Sequence, residues 1–380
     1  MNYTQAIDYI NSTARFGDKP GLERVRALLE AMGGPHERLK FVHVAGTNGK
    51  GSVCAMVESI LRAAGYQTGL YISPYVEDYR ERMQVNRELI PKDRLAELFT
   101  QTAALCEALP DRPRKFEIET AAALRYFAEE RCDIVVLEVG LGGRLDATNV
   151  IGAPEAAVIT SISYDHMRIL GDTLEQIAFE KRGIIKPGCA VVEASALPPA
   201  DRVLSSDLYG SVFVYKGNEY AVSLMGAHQI ENATVAVETA FALRGRGWAV
   251  PDAAILDGLR GARWNGRLEI VRDTPLCIID GAHNADAVVK LCGVIDDLLR
   301  GRRLVTVMAM GPDKPFDVCA PMLAQRSEHF IRTDFANAAA EARRAVSLAG
   351  DDGVVLACGS LHMIGDAKRA MQSAPGAARA

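Results

Sequence analysis

None of the eight cysteines in this 380-residue chain stands in a CxxC pair, so no zinc ribbon or disulfide framework is encoded. Most lie in apolar strand-like or helix-like patterns, where buried reduced thiols are expected. No apolar run approaches the roughly 18 residues that a membrane helix needs. No basic run stands out, and 43 Lys and Arg against 48 Asp and Glu leave a net charge of −5. That balance argues against a nucleic-acid or anionic-membrane surface. The opening MNYTQAIDYINSTARF lacks a basic region followed by an apolar core, so no secretory leader is expected and a cytoplasmic location follows. Internal repeats are missing too, and low complexity is confined to the polar, Ala-rich tail after about Met371.

What remains is an ordinary soluble composition, 49% hydrophobic and 24% charged. The length exceeds one comfortable core, so two domains are expected. Strand-like runs alternate with helical patterns almost throughout, the signature of βαβ units and a mainly parallel sheet. Strands are predicted at residues 41–45, 68–72, 134–139, 157–161 and 190–193. An antiparallel excursion follows around Lys216-Gly217-Asn218, then a long helix at 229–244. Alternation restarts after Arg263-Trp264-Asn265-Gly266, with strands at 268–271, 276–280, 304–309, 329–332 and 354–357. The expected division is an α/β domain over 1–262 and a smaller Rossmann-like α/β domain over 263–380. Ligands of such sheets bind beyond the C-terminal strand ends.

The most informative segment is FVHVAGTNGKGSV at 41–53. An apolar run enters a glycine turn, the turn carries Lys50, and a helix pattern opens at Ser52. Backbone N–H groups, a helix N-terminus and a lysine together make a phosphate cradle. The strict Walker spacing is absent: Val44 stands where its first Gly belongs and Gly51 where its Ser or Thr belongs. Glu138 ends the buried run 134–139 and is followed by Gly140, Gly142 and Gly143. A carboxylate there needs a cation or a donor, so it is either a magnesium ligand or a member of a structural ion pair. Asp165, His166 and Lys181 follow another strand end, and spacing alone does not separate them from structural or solvated residues. Asp280-Gly281-Ala282-His283-Asn284 reads equally as a ligand-facing loop or as a turn with an Asn cap.

Ten motifs in order, among them FVHVAGTNGKGSV, YISPYVEDYRERMQVN, FEIETAAALRYF, LEVGLGGRLDATN, LGDTLEQIAFEKRGIIKPG and DGAHN, closely resemble the folylpolyglutamate synthase/dihydrofolate synthase branch of the Mur ligases. The resemblance runs from about Tyr3 to Arg369. It implies a P-loop ATPase domain joined to a Rossmann-like ligase domain, with ATP and Mg²⁺ as cofactors. It also implies glutamate addition to dihydropteroate or a reduced folate through an acyl phosphate, by a monomer. The alternatives are folylpolyglutamate synthesis only, or a nucleotide-binding protein that has lost turnover.

By the same resemblance Thr47, Asn48, Gly49, Lys50, Gly51 and Ser52 form the phosphate loop, and Asn232, Arg267 and Asp280 hold the nucleotide. Ser52, Ser73, Glu138 and His166 are the implied metal ligands, and Lys181 matches a carbamylated lysine. Lys19, Pro20, Lys115, Phe116, Glu117, Arg144, Leu145 and Asp146 fall at the pterin-substrate positions. Lys50, Lys181, His166, Asp280 and His283 are the implied catalytic set. Two positions depart from the family pattern: Tyr75 stands for a usual His, and Pro315 follows Asp313-Lys314 where an Asp is usual.

Overall fold

The computed structural model describes residues 1–14 and 21–374. Lys19 and Pro20 therefore lie outside the described residues. The chain divides into two compact units. The first comprises residues 1–73, 79–198 and 232–259, and the second 74–78, 199–231 and 260–380. Residues 199–231, which the sequence reading placed before the 262/263 boundary, group with the second unit. Their strands form a separate small sheet rather than extending the first one.

The first unit is built on seven strands: β1 (Phe41–Ala45), β2 (Thr68–Tyr71), β3 (Met83–Val85), β4 (Glu88–Leu89), β5 (Ile134–Glu138), β6 (Ala156–Ile159) and β7 (Ala190–Glu193). Their order is β4-β3-β2-β5-β1-β6-β7. β2, β5, β1, β6 and β7 run parallel, while β3 and β4 add an antiparallel edge. Every residue of β1, β2, β5 and β6 is buried. That is why these strands read as continuous apolar runs without alternation. Because β2, β5, β1 and β6 are parallel neighbours, residues 72–73, 139–146, 46–49 and 160–166 all leave the sheet at one edge.

The second unit holds β8 (Arg202–Asp207), β9 (Gly210–Tyr215) and β10 (Asn218–Val222) as an antiparallel meander. It also holds a sheet of β11 (Glu269–Arg272), β12 (Leu276–Asp280), β13 (Leu304–Met308), β14 (His329–Arg332) and β15 (Val354–Cys358), in the order β11-β12-β15-β13-β14. Its core lies on both faces. Ile278 and Leu356 pack with Val288, Leu291 and Ile295 of the helix Ala285–Leu298. Their chain neighbours Ile279 and Ala357 pack with Ala342 and Val346 of the helix Ala338–Ala349. This is the two-residue period of a strand buried on both sides. All eight cysteines are free, seven of them buried and Cys189 half-buried. Among the described residues no helix is long and apolar enough to cross a membrane.

Candidate active site

β1 delivers the chain into a turn that requires glycine. Gly46 has φ 154°, and a Cβ there would sit 1.8 Å from Thr160 Oγ1. Gly49 has φ 87°, and a Cβ there would meet Asn232 Oδ1 at 2.4 Å. These left-handed positions are open to glycine at little cost. The loop after β6 fixes the turn from its other side. Thr47 N donates to Ser161 O at 2.7 Å, and Thr160 Oγ1 donates to Asn48 O at 2.7 Å. Thr47 Oγ1 donates to Ser163 O at 3.0 Å. The turn opens directly into the helix Lys50–Ala63, whose first residues include the buried Gly51 and Ser52.

Two lysines converge on one carbonyl in this turn. Lys50 Nζ donates to Gly46 O and Thr47 O, each at 3.2 Å. Lys181 Nζ reaches the same Gly46 O at 2.9 Å. Lys181 is 4% exposed, so it is not a solvated lysine paired to Glu180. Burial, with Lys50 nearby, pulls its ammonium down to about 7, while Asp165 opposes the shift. Glu180 instead engages Arg144, with Arg144 Nη2 2.8 Å from Glu180 Oε1.

Glu138, in register with Val44 of β1, accepts from Ser73 N at 2.9 Å and is buried. Glu138 and Lys50 both act on the fully buried Cys54 thiol, the first raising its pKa and the second lowering it, beneath a larger upward push from burial. Asp165 Oδ1 accepts from His166 N at 2.9 Å, and His166 has φ 50°, a left-handed position at the start of the short helix Met167–Leu170. The first unit thus gathers the glycine-turn residues 46–52, Ser73, Glu138, Asp165, His166, Lys181 and Asn232 around one sheet edge. Among the described residues no three His, Cys, Asp or Glu side chains form a ready metal cage.

The pterin-position residues fall into two groups. Glu117 is locked by Arg24, whose Nη2 lies 2.8 Å from Glu117 Oε1, and it also accepts from Arg114 N at 2.7 Å. Lys115 Nζ donates to Asn11 Oδ1 at 2.7 Å. Phe116 packs against Gly140, where a Cβ would meet its ring at 2.6 Å. Leu145 is half-buried in the loop that follows β5. The Asp146 carboxylate is buried and turned into its own loop, accepting from Leu141 N at 2.8 Å and Thr148 N at 3.0 Å. It therefore shapes the loop rather than presenting its oxygens outward.

In the second unit Asp280 ends β12 and is buried. It accepts from Leu268 N at 3.0 Å and Ala282 N at 2.8 Å. Burial raises its pKa, against Arg267, these backbone donors and His283. His283 Nδ1 lies 2.9 Å from Gly281 O, and Asn284 caps the next helix by accepting from Ala287 N at 2.9 Å. The turn with an Asn cap is thus present, and Arg267, Asp280 and His283 stand together around it.

The chain is similar to known proteins over nearly its whole length. Residues 44–197 match the Mur ligase middle domain, and 266–379 match the Mur ligase glutamate ligase domain. The dihydrofolate synthase/folylpolyglutamate synthase of Bacillus subtilis is 37% identical over 88% of this chain and 86% of its own. The folylpolyglutamate synthase of Lacticaseibacillus casei is 32% identical over 85% and 83%. The chain belongs to the folylpolyglutamate synthase/dihydrofolate synthase family. A solved FPGS-AMPPCP-folate complex superposes with a TM-score of 0.86 at 29% identity, covering 99% of this chain and 100% of that one. The Mycobacterium tuberculosis folylpolyglutamate synthase complexed with ADP and AMPPCP gives 0.86 at 26%, covering 98% and 99%.

Within this family frame, the sequence pattern left Thr160, Ser161 and Ser163 unmarked, although they hold the glycine turn. The hydroxyl run at the end of β6 was the available signal. It also passed over His43, Thr148 and Asn149, buried polar residues inside otherwise apolar or glycine-rich stretches.

Proposed function

We propose that this chain is an ATP- and Mg²⁺-dependent ligase that joins L-glutamate to dihydropteroate and to reduced folates. The observation that carries the proposal is the meeting of Lys50 and Lys181 at Gly46 O, in a glycine turn that opens a helix. Beside it the Glu138–Ser73 contact joins the ends of β5 and β2. Bound ATP supplies a phosphoryl group that converts the substrate carboxylate into an acyl phosphate; the glutamate amine then displaces phosphate and loses a proton. The protein must bring two anions together, which calls for fixed positive charge and aligned donors.

Lys50 and the backbone of residues 47–52 bind the nucleotide phosphates. Ser52, Ser73 and Glu138 offer hard oxygens, a small donor set of the kind that suits a magnesium ion retaining several waters. The family resemblance adds His166 to that set. Lys181, with its ammonium pulled down to about 7 by burial, holds a substantial neutral fraction near neutral pH and is a nucleophile for CO₂. Its amine nitrogen bonds the carbon and releases a proton, leaving a carbamate in place of a cation. Arg144, on an exposed arm paired to Glu180, binds the substrate carboxylate, with Lys19, Pro20, Lys115 and Phe116 on the pterin side. Asn232, Arg267 and Asp280 hold the rest of the nucleotide, and His283 supports Asp280. We assign the P-loop ATPase role to the first unit and the ligase role to the second, in a monomeric cytoplasmic enzyme.

The test is phosphate release with ATP, Mg²⁺ and L-glutamate plus either dihydropteroate or tetrahydrofolate. Turnover with both is expected, as the two-activity name of the Bacillus subtilis relative suggests. Turnover with tetrahydrofolate alone leaves folylpolyglutamate synthesis, the reading favoured by the Lacticaseibacillus casei relative's name. Nucleotide binding without turnover on either substrate defeats the ligase proposal.

A further inference from the structure

A buried polar chain runs from the middle of the first sheet to the glycine loop after β5. His43 lies at the centre of β1 and is fully buried between Val42 and Val44. Its Nε2 is 2.9 Å from Thr148 Oγ1. Thr148 Oγ1 donates to Asp146 Oδ1 at 2.5 Å. Asp146 Oδ2 in turn accepts from Leu141 N at 2.8 Å, so the carboxylate ties the loop's start to its end. The next residue, Asn149, extends the chain: its Nδ2 donates to Arg144 O and to Gly183 O, each at 3.0 Å. Gly183 directly follows the helix Leu174–Arg182 that carries Lys181. Lys186 Nζ closes the far side by donating to Asn149 O at 3.0 Å.

The direction of these bonds fixes the histidine. Thr148 spends its one hydroxyl proton on Asp146, so its lone pair accepts from His43, and the proton of His43 sits on Nε2. Nδ1 is then a bare acceptor, and among the described residues it has no hydrogen-bond partner. Burial, with Lys186 nearby, holds the ring neutral, its pKa lowered to about 3. An unsatisfied buried acceptor in the centre of a parallel sheet destabilises the fold, and an aliphatic residue would avoid that. The polar chain is therefore poorly explained by stability.

We propose that His43 and Thr148 are positioning residues that hold the residue 140–146 loop, and with it Arg144, in place for the carboxylate substrate. This rests on the reading of that loop as the substrate side of the site. β1 itself continues into the phosphate loop, so the same strand that presents Lys50 sets the register of the loop presenting Arg144.

The experiment uses the full chain and measures equilibrium binding of dihydropteroate and of AMPPCP, together with thermal melting. Thr148→Val is expected to weaken dihydropteroate about tenfold, the effect of losing a buried hydrogen bond to a charged group. AMPPCP affinity should stay within about twofold, and Thr148→Ser should restore the dihydropteroate affinity. His43→Leu is expected to weaken dihydropteroate similarly while its melting temperature stays level or rises, because the unsatisfied Nδ1 is gone. Unchanged dihydropteroate affinity in Thr148→Val overturns the inference. So does a parallel loss of both ligands with lower melting in both variants, which marks a structural role. A wild-type chain that binds AMPPCP but no dihydropteroate overturns the proposed substrate instead, and the inference falls with it.

Discussion

At the scale of single residues, the two lysines at Gly46 O have different jobs and different signatures. Lys50 is half-buried and held by loop carbonyls within reach of the helix N-terminus. Removing it takes away charge and no core packing. Lys50→Ala is expected to keep the fold and to lower phosphate release by roughly 10²–10³-fold, the usual cost of one preorganised donor. Near-normal turnover at saturating ATP would remove Lys50 from the phosphate loop. Lys181 is legible through pH. Its folded value near 7 lies below the 10.5 of an ordinary lysine, so between about pH 7 and 10.5 the unfolded chain binds more protons than the folded one. Unfolding free energy then rises with pH across that window. Subtracting the curve of Lys181→Met from that of the wild type should isolate this rise, which is expected to vanish below about pH 7. A flat difference curve would mean an unperturbed lysine. Glu138→Gln completes the set: the Mg²⁺ concentration for half-maximal turnover is expected to rise sharply, since the variant keeps the shape and loses the charge that suits a hard cation.

At the scale of elements, the glycine turn is the most exacting piece. Gly49→Ala places a Cβ at φ 87° and 2.4 Å from Asn232 Oδ1. Gly65 has a similar φ of 92° with nothing near its added Cβ. Gly65→Ala should therefore cost only the backbone term, roughly 1 kcal/mol, and leave ATP affinity alone. Gly49→Ala should cost more and raise the KM for ATP as well. Equal effects of the two variants, compared by melting and by KM, would show that the turn tolerates displacement. The elements also show how far the sequence can be read. β1, β7, β12 and β14 occupy the residues that their apolar runs predicted; β1 and β12 are buried along their whole length and so leave an uninterrupted signal. β3 and β4 span three and two residues, too short for any period to register. β8 went unread because all six of its residues are exposed, leaving no buried face to write an alternation. Among site residues, the glycine turn and Glu138 announced themselves by position. The burial of Lys181 did not, because it depends on residues far away in the chain. A Cβ on Gly143 would lie 2.8 Å from both Glu180 O and Lys181 O, so the loop must be bare there for the lysine helix to close on it. Asp146 fell at a substrate position only by resemblance, and the partners its buried carboxylate takes are the amides of its own loop.

At the scale of the whole molecule, a net charge of −5 belongs to a protein proposed to bind anions at every substrate position. Affinity must then come from local order rather than from the overall field. Lys50, Lys181 and the amides of residues 46–52 form such a spot, and they are already in place through the Thr47–Ser161 and Asn48–Thr160 contacts. A preformed site binds without a large ordering cost, so nucleotide binding should appear directly as stability. For one site, AMPPCP with Mg²⁺ at about 100 times its Kd adds about 2.7 kcal/mol to the unfolding free energy. The melting temperature of the full chain should rise with AMPPCP concentration accordingly. Lys50→Ala should show a smaller rise at the same nucleotide concentration, because its Kd is weaker while its own stability is nearly unchanged. The comparison separates a nucleotide site from a general salt effect, since sodium chloride at matched ionic strength should move both proteins alike. A wild-type chain that melts at the same temperature with and without saturating AMPPCP would leave the glycine turn without its anion.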